Sequence, residues 1–350
     1  MKRIRIGLIG AGANTRSRHI PGFKKIHDVE VVSVANRTRA SARRVAKDFG
    51  IAKVADNWRS VLEDDSVDAV CIGTWPHMHK TLTIAALEAG KHVLCEARMA
   101  MNSAEAREML AAAQRHPHLI AQIVPAPHTL AFDRTIIKLI GKNDIGEIIT
   151  LDARVAAPST YPNPSTPPHW RHERVLSGNN IMSMGIWYEA MMRWVGPAST
   201  VYAIGQSVVN HRLDTNGRRI TMAIPDHLDV MCRLMQGGQM RFNVSTVIGD
   251  SPSQVDLLIF GTEGTIRLHQ DPKKEMALLV GKRGGSGLKP VKIRPSMGGE
   301  WRVEEEFCNA IRGKEQVTHT DLATGVAYME FTDAVTRSLN TGEQISLPFV

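Results

Sequence analysis

The first residues with the right type and spacing for chemistry form a short glycine turn near the N-terminus. Gly10-Ala11-Gly12-Ala13-Asn14-Thr15 follows an apolar run and opens a segment with helical spacing. Glycines there permit a tight turn and let the backbone approach a pyrophosphate. The helix N-terminus that follows offers N–H groups to phosphate oxygens. Thr15 takes the place of the third glycine in G-x-G-x-x-G. A dinucleotide site also needs a group for the adenosine ribose at the end of the second strand. An acid there binds the 2′-hydroxyl of NAD, and a basic residue accommodates the 2′-phosphate of NADP. The chain reads Ala35-Asn36-Arg37-Thr38, with no acid. Arg37 points to NADP(H) as the preferred cofactor and NAD(H) as the second. Its other reading is a solvated residue at a helix start.

The elements that must carry this turn follow from periodicity. Apolar runs predict strands over 4–9, 29–35, 67–72, 92–95 and 119–124. Between them, helical spacing predicts helices over 39–49, 81–89 and 104–113, with Ser103 as an N-cap and Gly50 and Gly90 closing two of them. Strands alternating with helices of this length mean βαβ units and a parallel sheet. After Pro125 and Pro127 the pattern changes. A helix is expected over 130–140. Strands are expected over 148–155, 200–204, 228–235, 239–247, 254–260 and 265–269, as one antiparallel-rich sheet with few covering helices. Residues 158–171 read as a long Pro-rich loop, a type that is usually functional inside a compact domain. The expected division is a dinucleotide-binding domain over 1–124 and a substrate-binding and oligomerisation domain over 125–350. An uncovered apolar sheet face marks an interface, so a homodimer or homotetramer is expected.

Composition excludes several classes. Of 350 residues, 43% are hydrophobic, close to ordinary globular chains, and no apolar run is long enough to span a membrane. Lys and Arg number 43 against 35 Asp and Glu, but the basic residues are scattered, so nucleic acid is not the expected partner. Cys71, Cys95, Cys232 and Cys308 are dispersed, with neither CxxC nor zinc spacing. No metal is expected, and reduced thiols suit the cytoplasm.

Three further segments carry a resemblance. Thr74-Trp75-Pro76-His77-Met78-His79 precedes Ala85-Ala86-Leu87-Glu88-Ala89-Gly90-Lys91-His92-Val93-Leu94-Cys95-Glu96. Trp170-Arg171 precedes Ser177-Gly178-Asn179-Asn180, and Phe260-Gly261-Thr262-Glu263-Gly264-Thr265 follows. Together they resemble the glucose–fructose oxidoreductase, inositol dehydrogenase and rhizopine-catabolism (Gfo/Idh/MocA) family over nearly the whole chain. The resemblance implies an N-terminal Rossmann domain, a C-terminal α+β domain on an open mixed sheet, and a nicotinamide held between them. It implies oligomers built through the open sheet face. It places Gly10, Gly12, Asn36, Arg37, Thr74, His79 and Glu96 at cofactor-contacting positions, and Ala11, Ala13, Asn14, Thr15, Trp75, Trp170 and Arg171 are the further candidate cofactor residues. His79 can equally be a packing residue at a helix start.

The chain departs from the family at the reacting centre. The family's Glu-Lys-Pro is Glu96-Ala97-Arg98 here, and its later Asp, His and Asp are Ser183, Trp187 and Ala190. At about 100° per residue these three share one helical stripe, joined by Trp194. Met184, Tyr188, Met191 and Val195 form a second apolar face, and Glu189 with Arg193 reads as an exposed i, i+4 pair. Arg98 cannot act as a base, because its pKa exceeds about 12. It can grip a carboxylate, polarise a carbonyl, or serve a phosphate or domain contact. Trp187 can stack on a flat substrate or fill a core. The titratable candidates lie on loops: His128, Tyr161, His169 and His172. The expectation is an oxidoreductase with atypical proton transfer, acting on a small polar substrate that is ring-shaped or carboxylated. The candidate catalytic residues are Arg98, Trp187, Tyr161 and His169. The alternatives are a redox-inactive nicotinamide-binding sensor or assembly protein, and a conventional sugar or cyclitol dehydrogenase with a relocated base.

Overall fold

The structure, a computed structural model, describes residues 3–156 and 160–349. The N-terminal run comprises β1 (Ile4–Ile9), α1 (Ile20–Lys24), β2 (Val29–Ala35), α2 (Arg39–Phe49), β3 (Lys53–Val54), α3 (Trp58–Leu62), β4 (Ala69–Ile72), α4 (Pro76–Glu88), β5 (His92–Cys95), α5 (Ser103–Arg115) and β6 (Ala121–Ile123). The middle comprises α6 (Leu130–Gly141), β7 (Ile148–Val155), α7 (Arg174–Ser177), α8 (Met184–Val195), β8 (Ala198–Gln206), β9 (His211–Leu213), β10 (Arg219–Thr221), β11 (His227–Leu234), β12 (Gln239–Ser245), β13 (Val255–Gly261), β14 (Gly264–Gln270), β15 (Ala277–Lys282) and β16 (Lys289–Pro290). The chain closes with α9 (Val303–Ile311), α10 (Leu322–Thr341) and β17 (Ile345–Ser346).

Among the described residues the strands form a six-stranded sheet of order β3-β2-β1-β4-β5-β6 and a nine-stranded sheet of order β16-β15-β14-β13-β7-β12-β11-β8-β17. The pairings of the first are all parallel. Its order reverses between β1 and β4, and in open α/β sheets ligands bind outside the carboxyl ends of strands at such a switch point. In the second sheet β7 and β12 run parallel and the other pairings are antiparallel. β9 and β10 form a separate hairpin.

Two compact units result: 1–125 with 301–329, and 126–300 with 330–350. The expected division left 301–329 in the second domain. Packing explains the difference, because Val303, Phe307 and Cys308 of α9 belong to the same core as Ile4, Ile6, Leu8, Ile20 and Phe23.

Local chemistry sets the helix limits. The Thr38 hydroxyl accepts from Ser41 N at 3.3 Å to start α2, and Gly50 at φ 65° closes it, donating its N–H to Ala46 O. For α5 the cap is Asn102, one residue before the expected Ser103; Asn102 Oδ1 accepts from Glu105 N at 2.9 Å. α4 begins at Pro76 rather than 81, since proline at a first helical position loses no hydrogen bond. The glycine turn opens into a π turn over Thr15–His19 before α1, not directly into an α-helix.

Within the second unit the central strands alternate buried and exposed residues. One face is core. The other presents Ile204 (63% exposed) and Met231 (57%) beside the Arg241–Asp152 and Arg267–Asp256 ion pairs. Met231, Arg241 and Phe242 line a depression of about 340 Å³ on this sheet.

Candidate functional site

In the first unit the glycine turn is built against the end of β4. Gly10 sits at φ 84°, and an added Cβ would lie 2.7 Å from Thr74 Cγ2 and 2.9 Å from Thr74 N, so only glycine fits. Gly12 is exposed, and the nearest atom to its absent Cβ is the Gly73 carbonyl oxygen at 3.5 Å. Bare, exposed backbone at Gly12 therefore sits in ordinary contact with the Gly73 carbonyl, and the missing side chain suits a pyrophosphate's approach. Thr15, in place of the third glycine, donates its hydroxyl to Gly10 O at 3.3 Å and closes the turn on itself.

The end of β2 turns inward at Asn36. Its Oδ1 accepts from Ala11 N at 2.7 Å and its Nδ2 donates to Ser41 Oγ at 3.0 Å, so Asn36 braces the glycine turn. Arg37 is exposed, and its guanidinium lies over the half-buried Trp75 ring at 5.6 Å. His79 is fully buried, with ring nitrogens 2.9 Å from Arg98 O and 3.0 Å from Thr74 O; it ties the segment after β5 to the segment after β4. Glu96 accepts from Asn14 Nδ2 and lies 2.9 Å from His19 Nε2. His19 was not among the expected site residues. The Arg98 side chain is 1% exposed, within the protein rather than on a surface.

The second unit holds the remaining candidates. Trp187 is buried on α8, and the exposed His128 ring stacks on it at 4.7 Å between centroids and 13° between planes. Ala190 and Trp194 are buried on the same helix, whereas Ser183 precedes its first residue. The Glu189–Arg193 pair is not an exposed edge. Glu189 is 2% exposed, and both its oxygens accept from Ala126 N at 3.1 Å. Arg193 donates to Glu189, to Ala126 O at 2.8 Å and to Asp133, and Trp194 Nε1 donates to Asp133 Oδ1 at 2.8 Å. Glu189 thereby anchors α8 to the segment before α6, and a buried carboxylate needs such partners.

Of the expected 158–171 loop, residues 158 and 159 lie outside the described residues. Tyr161 is 66% exposed and donates to Asp250 Oδ2 at 2.8 Å, a bond that raises its pKa and keeps the phenol protonated. His169 Nδ1 accepts from Arg171 N at 3.3 Å, capping the short turn Trp170–His172, and the Arg171 guanidinium lies 4.2 Å over the Trp170 ring. Burial and then the neighbouring Arg171 charge hold His169 below the usual histidine range. Burial, followed by Arg212, lowers His172 to about 4. These loop groups cap and brace one another. The pairing that sequence reasoning missed is His128 with Trp187, since 59 residues of irregular spacing conceal a ring stack.

Residues 4–122 match the oxidoreductase family with an NAD-binding Rossmann fold, and residues 134–267 match the GFO/IDH/MocA C-terminal domain. The chain belongs to the Gfo/Idh/MocA oxidoreductases. Levoglucosan dehydrogenase of Pseudarthrobacter phenanthrenivorans is 24% identical over 99% of each chain. A 1,5-anhydro-D-fructose reductase of Ensifer adhaerens is 34% identical over 51% of this chain and 52% of its own. The solved structure of levoglucosan dehydrogenase with NADH and L-sorbose has the same fold, with a TM-score of 0.84 at 22% identity and 99% of each chain covered. As a Gfo/Idh/MocA member the chain is an NAD-binding oxidoreductase. No helix among its described residues is long and apolar enough to cross a membrane.

Proposed function

We propose that this enzyme oxidises or reduces a small, polar, ring-shaped substrate of sugar type, with His128 as the group that moves the substrate proton. The observation that carries this reading is the stack of His128 on Trp187. Trp187 occupies the position of the family's histidine, and the imidazole it supports comes instead from the segment before α6. A hydroxyl losing hydride from its carbon must give up a proton, and an exposed imidazole is a side chain able to take it. Trp187 supports that ring by stacking on one of its faces. The sugar-derived names of the relatives support the substrate class.

The dinucleotide, when bound, supplies or accepts the hydride. Gly10, Ala11, Gly12, Ala13, Asn14 and Thr15 would cradle its phosphates, with Thr74, Trp75 and Glu96 after β4 and β5, while buried His79 on α4 holds those two segments together. Trp170 and Arg171 complete the set of candidate cofactor residues. NADP(H) is the preferred form, because β2 ends without an acid and Arg37 is exposed there. The protein assembles as a homodimer or homotetramer through the outer sheet face, and it works in the cytoplasm.

The test is a turnover screen against sugars, anhydrosugars, cyclitols and dihydrodiols, followed by His128→Ala. Loss of a general acid–base lowers kcat by about 100-fold to 10,000-fold, with cofactor affinity retained. His128→Ala turning over at the wild-type rate would end this reading. Saturable cofactor binding with no turnover of any substrate would support a sensor instead.

A further inference from the structure

His19, on the π turn, is completely buried between two carboxylates from distant parts of the sequence. Its Nε2 lies 2.9 Å from Glu96 Oε1 at the end of β5, and its Nδ1 lies 2.5 Å from Glu304 Oε1 on α9. A neutral imidazole has a single N–H, so two ionised carboxylates, one at each ring nitrogen, favour the imidazolium. Burial on its own lowers the pKa of His19, but the two carboxylates outweigh burial and raise it to about 9.

Among the described residues, His79 is a further titratable group that acts on Glu96. Asn14 Nδ2 lies 3.4 Å from Nε2. Trp301 packs 5.8 Å away, carries the Arg18 guanidinium over its ring at 4.5 Å, and donates Nε1 to both Glu304 oxygens at 3.1 and 3.0 Å. Burial pushes the Cys71 and Cys95 thiols up, so both stay neutral. Glu96 is held below the usual range despite burial, chiefly by its bond to His19.

We propose that His19 is a positioning residue for dinucleotide binding: its imidazolium fixes Glu96, and through Glu96 the Asn14 side chain of the glycine turn, in the arrangement that receives the cofactor. This rests on the assignment of Asn14 and Glu96 to the cofactor site. When His19 loses its proton, one N–H remains for two carboxylates. Glu96 then forfeits its anchor or takes up a proton itself, and Asn14 is no longer held. Affinity for the dinucleotide therefore falls as pH rises through about 9.

The experiment measures the Kd for NADH and NADPH by fluorescence from about pH 7 to about pH 10, with folding checked by circular dichroism at each point. The wild type, His19→Gln, Glu304→Gln and Glu96→Gln are compared. Wild-type Kd should rise about tenfold across the upper part of the range, the size expected for one charge-assisted hydrogen bond. His19→Gln should bind about tenfold more weakly at neutral pH and lose the pH dependence. Glu304→Gln, lacking one of the two carboxylates, should show the rise at lower pH. A merely structural histidine would change stability without moving the Kd profile. A flat wild-type profile overturns the inference, and that result needs no variant to fold. His19→Gln binding like wild type while Glu96→Gln binds weakly overturns it as well. If neither variant weakens binding, the placement of Glu96 at the cofactor falls with it.

Discussion

The Arg37 guanidinium lies over the indole of Trp75, 5.6 Å from the ring centroid, and so links the end of β2 to the start of α4. The pairing holds an exposed positive charge where a dinucleotide's adenosine ribose is read. Arg37→Ala should weaken NADPH binding by about tenfold or more and leave NADH within about twofold, since only the former carries the phosphate. Titration of both cofactors against both proteins checks this. Equal wild-type affinities would remove the proposed preference.

Arg98 is among the largest side chains buried in the protein, at 1% exposure. A buried guanidinium is expected to matter first for stability. Arg98→Ala should lower stability by about 3 kcal/mol or more, because its removal strands the groups packed around a buried charge. The Michaelis constant should change little. If Arg98 instead grips a substrate carboxylate, the melting temperature will hold and the Michaelis constant will rise strongly. Thermal melts and steady-state kinetics on the one variant separate the two.

Stability of the cofactor-free protein should fall as pH rises from near neutral. His19 is raised from its ordinary value to about 9. A group raised in the folded state contributes stability that is complete below its ordinary pKa and is lost as pH passes the folded value. The melting temperature should therefore decline between about pH 6.5 and about pH 9, by on the order of several degrees. His19→Gln should melt lower at neutral pH and decline less across that interval. A wild-type melting temperature that climbs over the same range would contradict the assignment of the imidazolium.

The outer face of the nine-stranded sheet should bury itself against a second copy. Met231, at the centre of β11, pairs across strands with Tyr202 and Arg241 on that face. Met231→Glu should reduce the mass seen by light scattering toward the monomer, since a charge buried without a partner opposes association. A wild-type monomer at micromolar concentration would dispose of the interface.

Local punctuation made much of the fold legible. The helix expected over 39–49 is Arg39–Phe49, because Thr38 and Gly50 mark its two ends. The strand expected over 148–155 is Ile148–Val155. The late helices were harder to see, although Glu304, Glu305 and Glu306 in the first turn of α9 are a start signal, as is Asp321, whose Oδ1 accepts from Thr324 N at 2.7 Å. At the site, the glycine turn was legible because its chemistry is local. Asn36 was expected at the cofactor, whereas its bracing of Ala11 was not legible. His19 and Glu304 stand 285 residues apart, and no periodicity connects them. The Glu189–Arg193 spacing was right while its burial was not, since i, i+4 geometry is silent about what lies against the helix.

The cofactor-binding sheet is completed by a helix synthesised near the end of the chain. Trp301 to Met329 belongs to the first unit, and all of 126–300 must leave the ribosome before it. At about 5–20 residues per second, the early sheet waits on the order of ten seconds or more for α9. During that time Ile4, Ile20 and Phe23 lack the Phe307 and Cys308 that share their core. A gene cut after Pro125 would make that state permanent and yield a sticky, chaperone-dependent fragment. Joining 301–329 back to it through a short linker is the smaller protein with the means to close.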